Sequence, residues 1–229
     1  MAFSSPHKAA NVAALADGMA LFEDMARHHI DGITQFGEAM TRPFNSFDTA
    51  TMHLGMHGYN LFEAGIDLVL QGRFDVASYL YRSLRDCHDL VLLVGDDPEL
   101  AERLLNDEIE VKVGDEKKAA VGRLRATDAA AAAQWDRLFK SENAEYQRLS
   151  HVGPGHFGMV LTLPDANGDR FPVLGGMDAG EGSRAFARVF VMNEATLLLV
   201  LGMSWQDKLS ANWADRTKVL VARAAEWLS

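Results

Sequence analysis

The segment from Phe47 to Gln71 (FDTATMHLGMHGYNLFEAGIDLVLQ) limits the fold more than any other part of the chain, because its periodicity is that of a long two-faced helix. At about 100° per residue, Leu54, Tyr59, Leu61, Phe62, Ile66 and Leu68 share a wide apolar arc with Gly58 and Gly65. His53, His57, Asn60, Asp67 and Gln71 form a narrow stripe opposite, with Glu63 at its edge. A glycine inside a helix costs about 1 kcal/mol against alanine, so Gly55, Gly58 and Gly65 on or near the apolar arc imply close helix packing. That places this helix in the middle of a bundle. Gly72 is expected to stop it, as a glycine just past a helix C-terminus does.

The flanking segments repeat the helical period. From Lys8 to Met40, Val12, Leu15, Met19, Phe22, Ala26, Ile33, Phe36 and Met40 keep the alternating three and four spacing of a bundle helix. His29 interrupts that stripe, as a helix break or a partly buried core histidine would. Asn45, Ser46 and Asp48 offer caps for the next helix. A second strong helix spans Phe74 to Val94, with Val76, Leu80, Leu84, Cys87, Val91 and Val94 on one face. It should pack antiparallel to Phe47–Gln71 across a turn at Gly72 and Arg73. Pro98 suits a first helical position and opens a helix expected to run to about Val113. Gly114 to Ala126 reads as a short connecting or helical stretch, and Thr127 as the cap of an alanine-rich helix continuing through Trp135, Phe139, Tyr146 and Leu149.

Between His151 and Gly182 the helical pattern stops. There MVLTLP and RFPVL flank DANGD, whose Asn167-Gly168 is a tight-turn pair, so a small β-hairpin excursion is expected near 158–175. The whole of Gly153 to Glu181 reads as a mobile flap. Ser183 to Asp207 and Asn212 to Leu228 close the chain as helices. The expected architecture is all-α, one multi-helix bundle of about seven to nine helices in a single domain over residues 1–229, a length that one core can serve.

Charge and cysteine usage exclude several function classes. The formal net charge of −10 works against nonspecific attraction to nucleic acid or to an anionic membrane surface. The single cysteine, Cys87, permits neither an intrachain disulfide nor a thiolate cluster. The N-terminus lacks the continuous apolar segment of a secretory signal, and the run Ala195 to Met203 is short of the roughly 20 residues a membrane span needs. A cytoplasmic location follows as the expectation. The long N-terminal helix, with Trp213 and Trp227 on the last one, suggests self-association as a homodimer.

Three groups of residues invite chemistry. His53 and His57 stand four apart on one helix face, so both imidazoles can reach a single divalent transition metal. Leu54 replaces the glutamate of H-E-x-x-H, which excludes a zincin. Further ligands would come from Glu63, Asp67, His88, Glu142, His151 or His156. No cation lies between Arg42 and Arg73 to mark the stripe as an ordinary solvated face, so binding of a metal ion or small polar ligand is the leading expectation. Glu142, Tyr146, Ser150, His151 and His156 form a second group, but no G-x-S-x-G elbow surrounds Ser150. On the third, Arg82 with Asp86 and Arg85 with Asp89 are spaced for intrahelical ion pairs. No glycine-rich phosphate motif follows a strand.

Tyr79–Leu105 (YLYRSLRDCHDLVLLVGDDPELAERLL) and Glu145–His156 (EYQRLSHVGPGH) together resemble a bacterial family of helical proteins without an assigned activity. Its signature is an R-S-L-x-E/D helix followed later by Y-x-x-L-S and a histidine. A remoter similarity is to the HEPN ribonucleases, helical dimers in which an arginine precedes a histidine by four to six residues, as Arg82 precedes His88. That resemblance implies that Arg82 holds a scissile phosphate and His88 transfers the proton. Lys112, Lys117, Lys118, Arg123 and Arg125 would then supply a local basic patch, and Ser83 stands where those enzymes carry another polar residue.

Overall fold

The computed structural model describes residues 8–106, 111–137, 140, 162–164, 170–172 and 181–229. Among them the architecture is all-α. The helices are α1 (Lys8–Ala14), α2 (Ala16–Glu38), α3 (Ser46–Leu70), α4 (Phe74–Asp96), α5 (Pro98–Leu105), α6 (Val113–Thr127), α7 (residues 129–137), α8 (Glu181–Ser204) and α9 (Ala211–Leu228). Two three-residue strands, β1 (Thr162–Pro164) and β2 (Arg170–Pro172), pair antiparallel with Leu163 opposite Phe171. They add no layer to the helical fold. The remainder of the expected flap, 153–161, 165–169 and 173–180, lies outside the described residues.

Helix α3 begins and ends on local chemistry. Asn45 accepts from the Asp48 amide at 2.8 Å while Asp48 accepts from the Asn45 amide at 3.2 Å, a reciprocal capping box. At the other end Gly72 takes φ 73°, a left-handed conformation that glycine adopts without a Cβ clash. There the Arg73 amide donates to the Leu68 carbonyl and the Gly72 amide to that of Val69, at 2.8 and 3.0 Å. This Schellman closure turns the chain directly into α4, so α3 and α4 form an antiparallel hairpin with the most extensive helix–helix interface among the described residues.

Helix α8 seals the hairpin. A Cβ on Gly58 would overlap Leu197, and one on Gly65 would overlap the Phe190 ring. The two glycines therefore let α8 lie close against α3. The resulting core joins Leu61, Phe62 and Ile66 of α3, Leu84 and Val91 of α4, and Phe190, Leu197 and Leu201 of α8. Helices α2 and α9 cover the far side, where Trp213 packs against Gly32. A smaller cluster, Ala50, Leu93, Val94, Leu100 and Ala101, joins α3 and α4 to α5. The apolar run at 195–203 belongs to a longer stretch, Ser183–Ser204, within which an 18-residue window has a mean hydropathy of 1.6. By length and composition that stretch could cross a membrane, and 61% of the window is buried inside the bundle.

Several boundaries differ from the expected ones. Lys8–Met40 is two helices, broken at Leu15. The helix that starts at Pro98 stops at Leu105 rather than Val113. Gly114–Ala126 is fully helical within α6. Asp128, not Thr127, caps α7, its carboxylate accepting from the amides of Ala130 and Ala131. Asp offers an acceptor in the same way as Thr, so composition alone does not choose between adjacent caps.

Candidate functional site

The polar stripe of α3 faces outward. His53, His57, Asn60, Glu63 and Asp67 are all exposed. The missing cation arrives from another helix, since Lys8 of α1 lies 3.8 Å from Asp67. Among the described residues no group of three or more His, Cys, Asp or Glu side chains is placed to hold a metal ion. Glu142, His151 and His156 lie outside the described residues. His88, also considered as a ligand, is buried on α4 and turned toward α8.

A dense buried polar group lies where α4 meets α6 and α8. Arg85, His88 and Asp89 of α4, Lys117 of α6 and Asn193 of α8 are each less than a tenth exposed. Asn193 donates through Nδ2 to the Val189 carbonyl at 2.8 Å. That leaves its Oδ1 to accept from His88 Nε2 at 3.0 Å, so Nε2 carries a proton. The other ring nitrogen, Nδ1, stands 3.3 Å from Asp89. Asp89 is also ion-paired with Lys117, and Arg85 Nε lies 3.8 Å from it. Burial alone would raise the Asp89 pKa, but the hydrogen bond and charge of His88 and the charge of Lys117 outweigh it, so the carboxyl is held below its ordinary value. One turn earlier Asp86 goes the other way: burial dominates and lifts it above the ordinary range despite Arg82. Cys87 between them is pushed up to about 12 by burial, with Asp86 and Glu194 adding to it, and is an inert core thiol.

Arg82 and His88 do not converge. The Arg82 side chain is 59% exposed and 3.6 Å from Asp86, whereas both nitrogens of His88 face buried partners on the other side of α4. Six residues turn a helix by about 600°, which leaves roughly 120° between the two side chains. The supposed basic patch is likewise divided. Lys117 is buried against Asp89, Lys118 pairs with Asp115, and Arg123 lies 3.8 Å from Asp97.

A cavity of about 420 Å³ opens beside this polar group. Leu92 and Leu93 of α4, Val121 and Leu124 of α6 and Trp135 of α7 give it apolar walls. Ala120 of α6 and the polar Asp89, Lys117, Arg123 and Thr127 complete its lining. Asn193 is not among the residues the sequence singles out, and Lys117 figures there only as a member of the basic patch, not as a partner of Asp89. The signal for Lys117 was present: with Val121 and Leu124 it continues the inward stripe of α6 at spacings of four and three.

Two more histidines are buried between α2, α8 and α9. His29 Nδ1 lies 2.6 Å from Glu194 Oε1, and both residues are sealed from solvent. His28 meets the Thr217 hydroxyl at 2.7 Å and stacks on Trp213, whose indole donates to the His28 carbonyl at 3.1 Å. Burial, aided by the charge of Arg216, lowers the His28 pKa to about 4. It is therefore a neutral structural side chain at pH 7.

Compared with known proteins, the chain matches no family model, no curated protein and no solved structure.

Proposed function

We propose that the protein binds a small amphipathic molecule in the cavity between α4, α6 and α7. The observation that supports this reading most is the lining itself: six apolar side chains, Ala120 among them, and four polar ones around about 420 Å³. Ligand sites commonly take this form, at about 300 to 1,000 Å³ with a mostly apolar wall and a small number of placed polar groups. The buried Asp89–Lys117 pair fixes the rear wall, because a charge pair out of water resists rearrangement unless both members move together. Arg123, although it lies 3.8 Å from Asp97, adds a cation to the lining, which suits an anionic head on an apolar chain. This keeps the small-ligand expectation and moves it from the α3 stripe to the α4–α6 junction.

Titration calorimetry with decanoate and with decanol, both kept monomeric, tests the reading. Decanoate should bind saturably and more tightly than decanol. Arg123→Met should remove most of that preference, and Ala120→Phe, which fills the cavity from α6, should abolish binding of both while the protein stays folded. Absence of heat from either probe sinks the proposal, and so does binding that Ala120→Phe leaves unchanged.

A further inference from the structure

A second cavity, about 430 Å³ and open to solvent, lies at the other end of α8, where α2 and α9 meet it. Three arginines line it, Arg184 and Arg188 of α8 and Arg223 of α9, together with Asp17, Glu226, Leu21, Trp227 and Ser229. Two of the arginines have carboxylates. Arg184 contacts both oxygens of Asp17, at 2.9 and 2.8 Å, and lies over the Trp227 ring at 5.7 Å. Arg223 meets Asp24 at 2.8 Å. That carboxylate is shared, with Arg27 at 3.2 Å and Arg216 at 4.0 Å, so it neutralises only part of the charge around it.

Arg188 is different. It sits four residues after Arg184, on the same face of α8, where like charges repel. No acidic partner or hydrogen bond of Arg188 is found among the described residues, and its Nε is sealed from solvent without an acceptor. Holding a guanidinium partly out of water without a counter-charge is unfavourable. The exposed end of its fork is what remains to bind an oxyanion, the group whose planar pair of acceptors a guanidinium matches. Trp227 provides the flat wall beside it. We propose that this cleft binds an organic oxyanion, a phosphate ester or a carboxylate, with its charged head on Arg188 and its body against Trp227.

The test follows the Trp227 indole N–H by proton–nitrogen NMR, its signal identified by its loss in Trp227→Phe. Uniformly labelled full-length protein is titrated with phenyl phosphate, benzoate and, as the neutral control, phenol. The Trp227 signal should shift saturably with phenyl phosphate or benzoate and not with phenol, and which anion binds tighter distinguishes phosphate from carboxylate recognition. Arg188→Met should weaken that binding by at least about tenfold, as loss of a charge-assisted fork does. Because Arg188 has no partner to lose among the described residues, the fold of the variant should persist. Arg188→Lys, which keeps the charge and removes the fork, should fall between the two. An unmoved Trp227 signal, an equal response to phenol, or binding by either Arg188 variant equal to wild type overturns the proposal.

Discussion

On α3, His53 and His57 stand one turn apart and face solvent, whereas on α4, across the Gly72 turn, His88 is enclosed between Asn193, Asp89 and the core. The first pair has the spacing that draws attention in a sequence. The second site has the energetic stake. A histidine in water can be exchanged for other residues at small cost, while one in the interior obliges its neighbours to satisfy both ring nitrogens. Buried polar groups lose their water and must recover equivalent partners. What separates the two regions is therefore the company brought by α6 and α8, which no spacing within α3 or α4 encodes.

The contrast is broken most directly at Asp89. Asp89→Ala leaves Lys117 and Arg85 buried without the carboxylate between them, and should cost about 3 to 5 kcal/mol, the usual result of removing one partner of a buried charge pair. Urea unfolding at neutral pH measures it. A loss no larger than that of a surface substitution would mean that the α4–α6 junction is wet and that burial is not what distinguishes it.

A smaller effect should appear at His28, which extends the interior side of the comparison to α2. Its folded pKa, about 4, lies below the ordinary 6.5, so the unfolded chain takes up the proton first as pH falls. The stability that a neutral His28 contributes is complete above about 6.5 and is lost as pH drops from there toward about 4. Replacement by Gln, which keeps a hydrogen-bonding partner for Thr217 but does not titrate, should flatten this part of the stability profile. Identical pH slopes for the two proteins would place the acid sensitivity elsewhere.

The smallest change belongs to the exposed pair. His53→Ala combined with His57→Ala should leave stability within about 0.5 kcal/mol of wild type, as surface substitutions do. A much larger drop in the unfolding midpoint would show that the α3 stripe is held by a partner, and the two regions would then be alike.

The parts of the fold that could be read beforehand are those whose cause is local. The capping box at Asn45 and Asp48, the left-handed Gly72 and the proline that starts α5 each depend on a few adjacent residues. The two faces of α3 follow from a single helical period, and its glycines signalled the close approach of a neighbour without identifying Leu197 and Phe190. The candidate site was much less legible. Asp89 was seen only as a partner for Arg85 four residues away, because its contacts with Lys117 and His88 exist only once α6 folds onto α4. Glu194 is not among the candidate residues of the sequence, because no spacing within its own helix marks it. Its position opposite His29 is set by the packing of two helices far apart in the chain.

The tight closure at Gly72 also divides the molecule by chain entropy. The α3–α4 hairpin is a continuous segment that needs only a short turn to bring its halves together. Helix α8 reaches the same core after the whole stretch that follows α4. The entropy of closing such a connection grows only logarithmically, about 0.6 kcal/mol for each doubling of its length. The cost of bringing α8 to the core is therefore only weakly set by how much chain precedes it, while a single insertion at Gly72 would shift every facing pair of the hairpin.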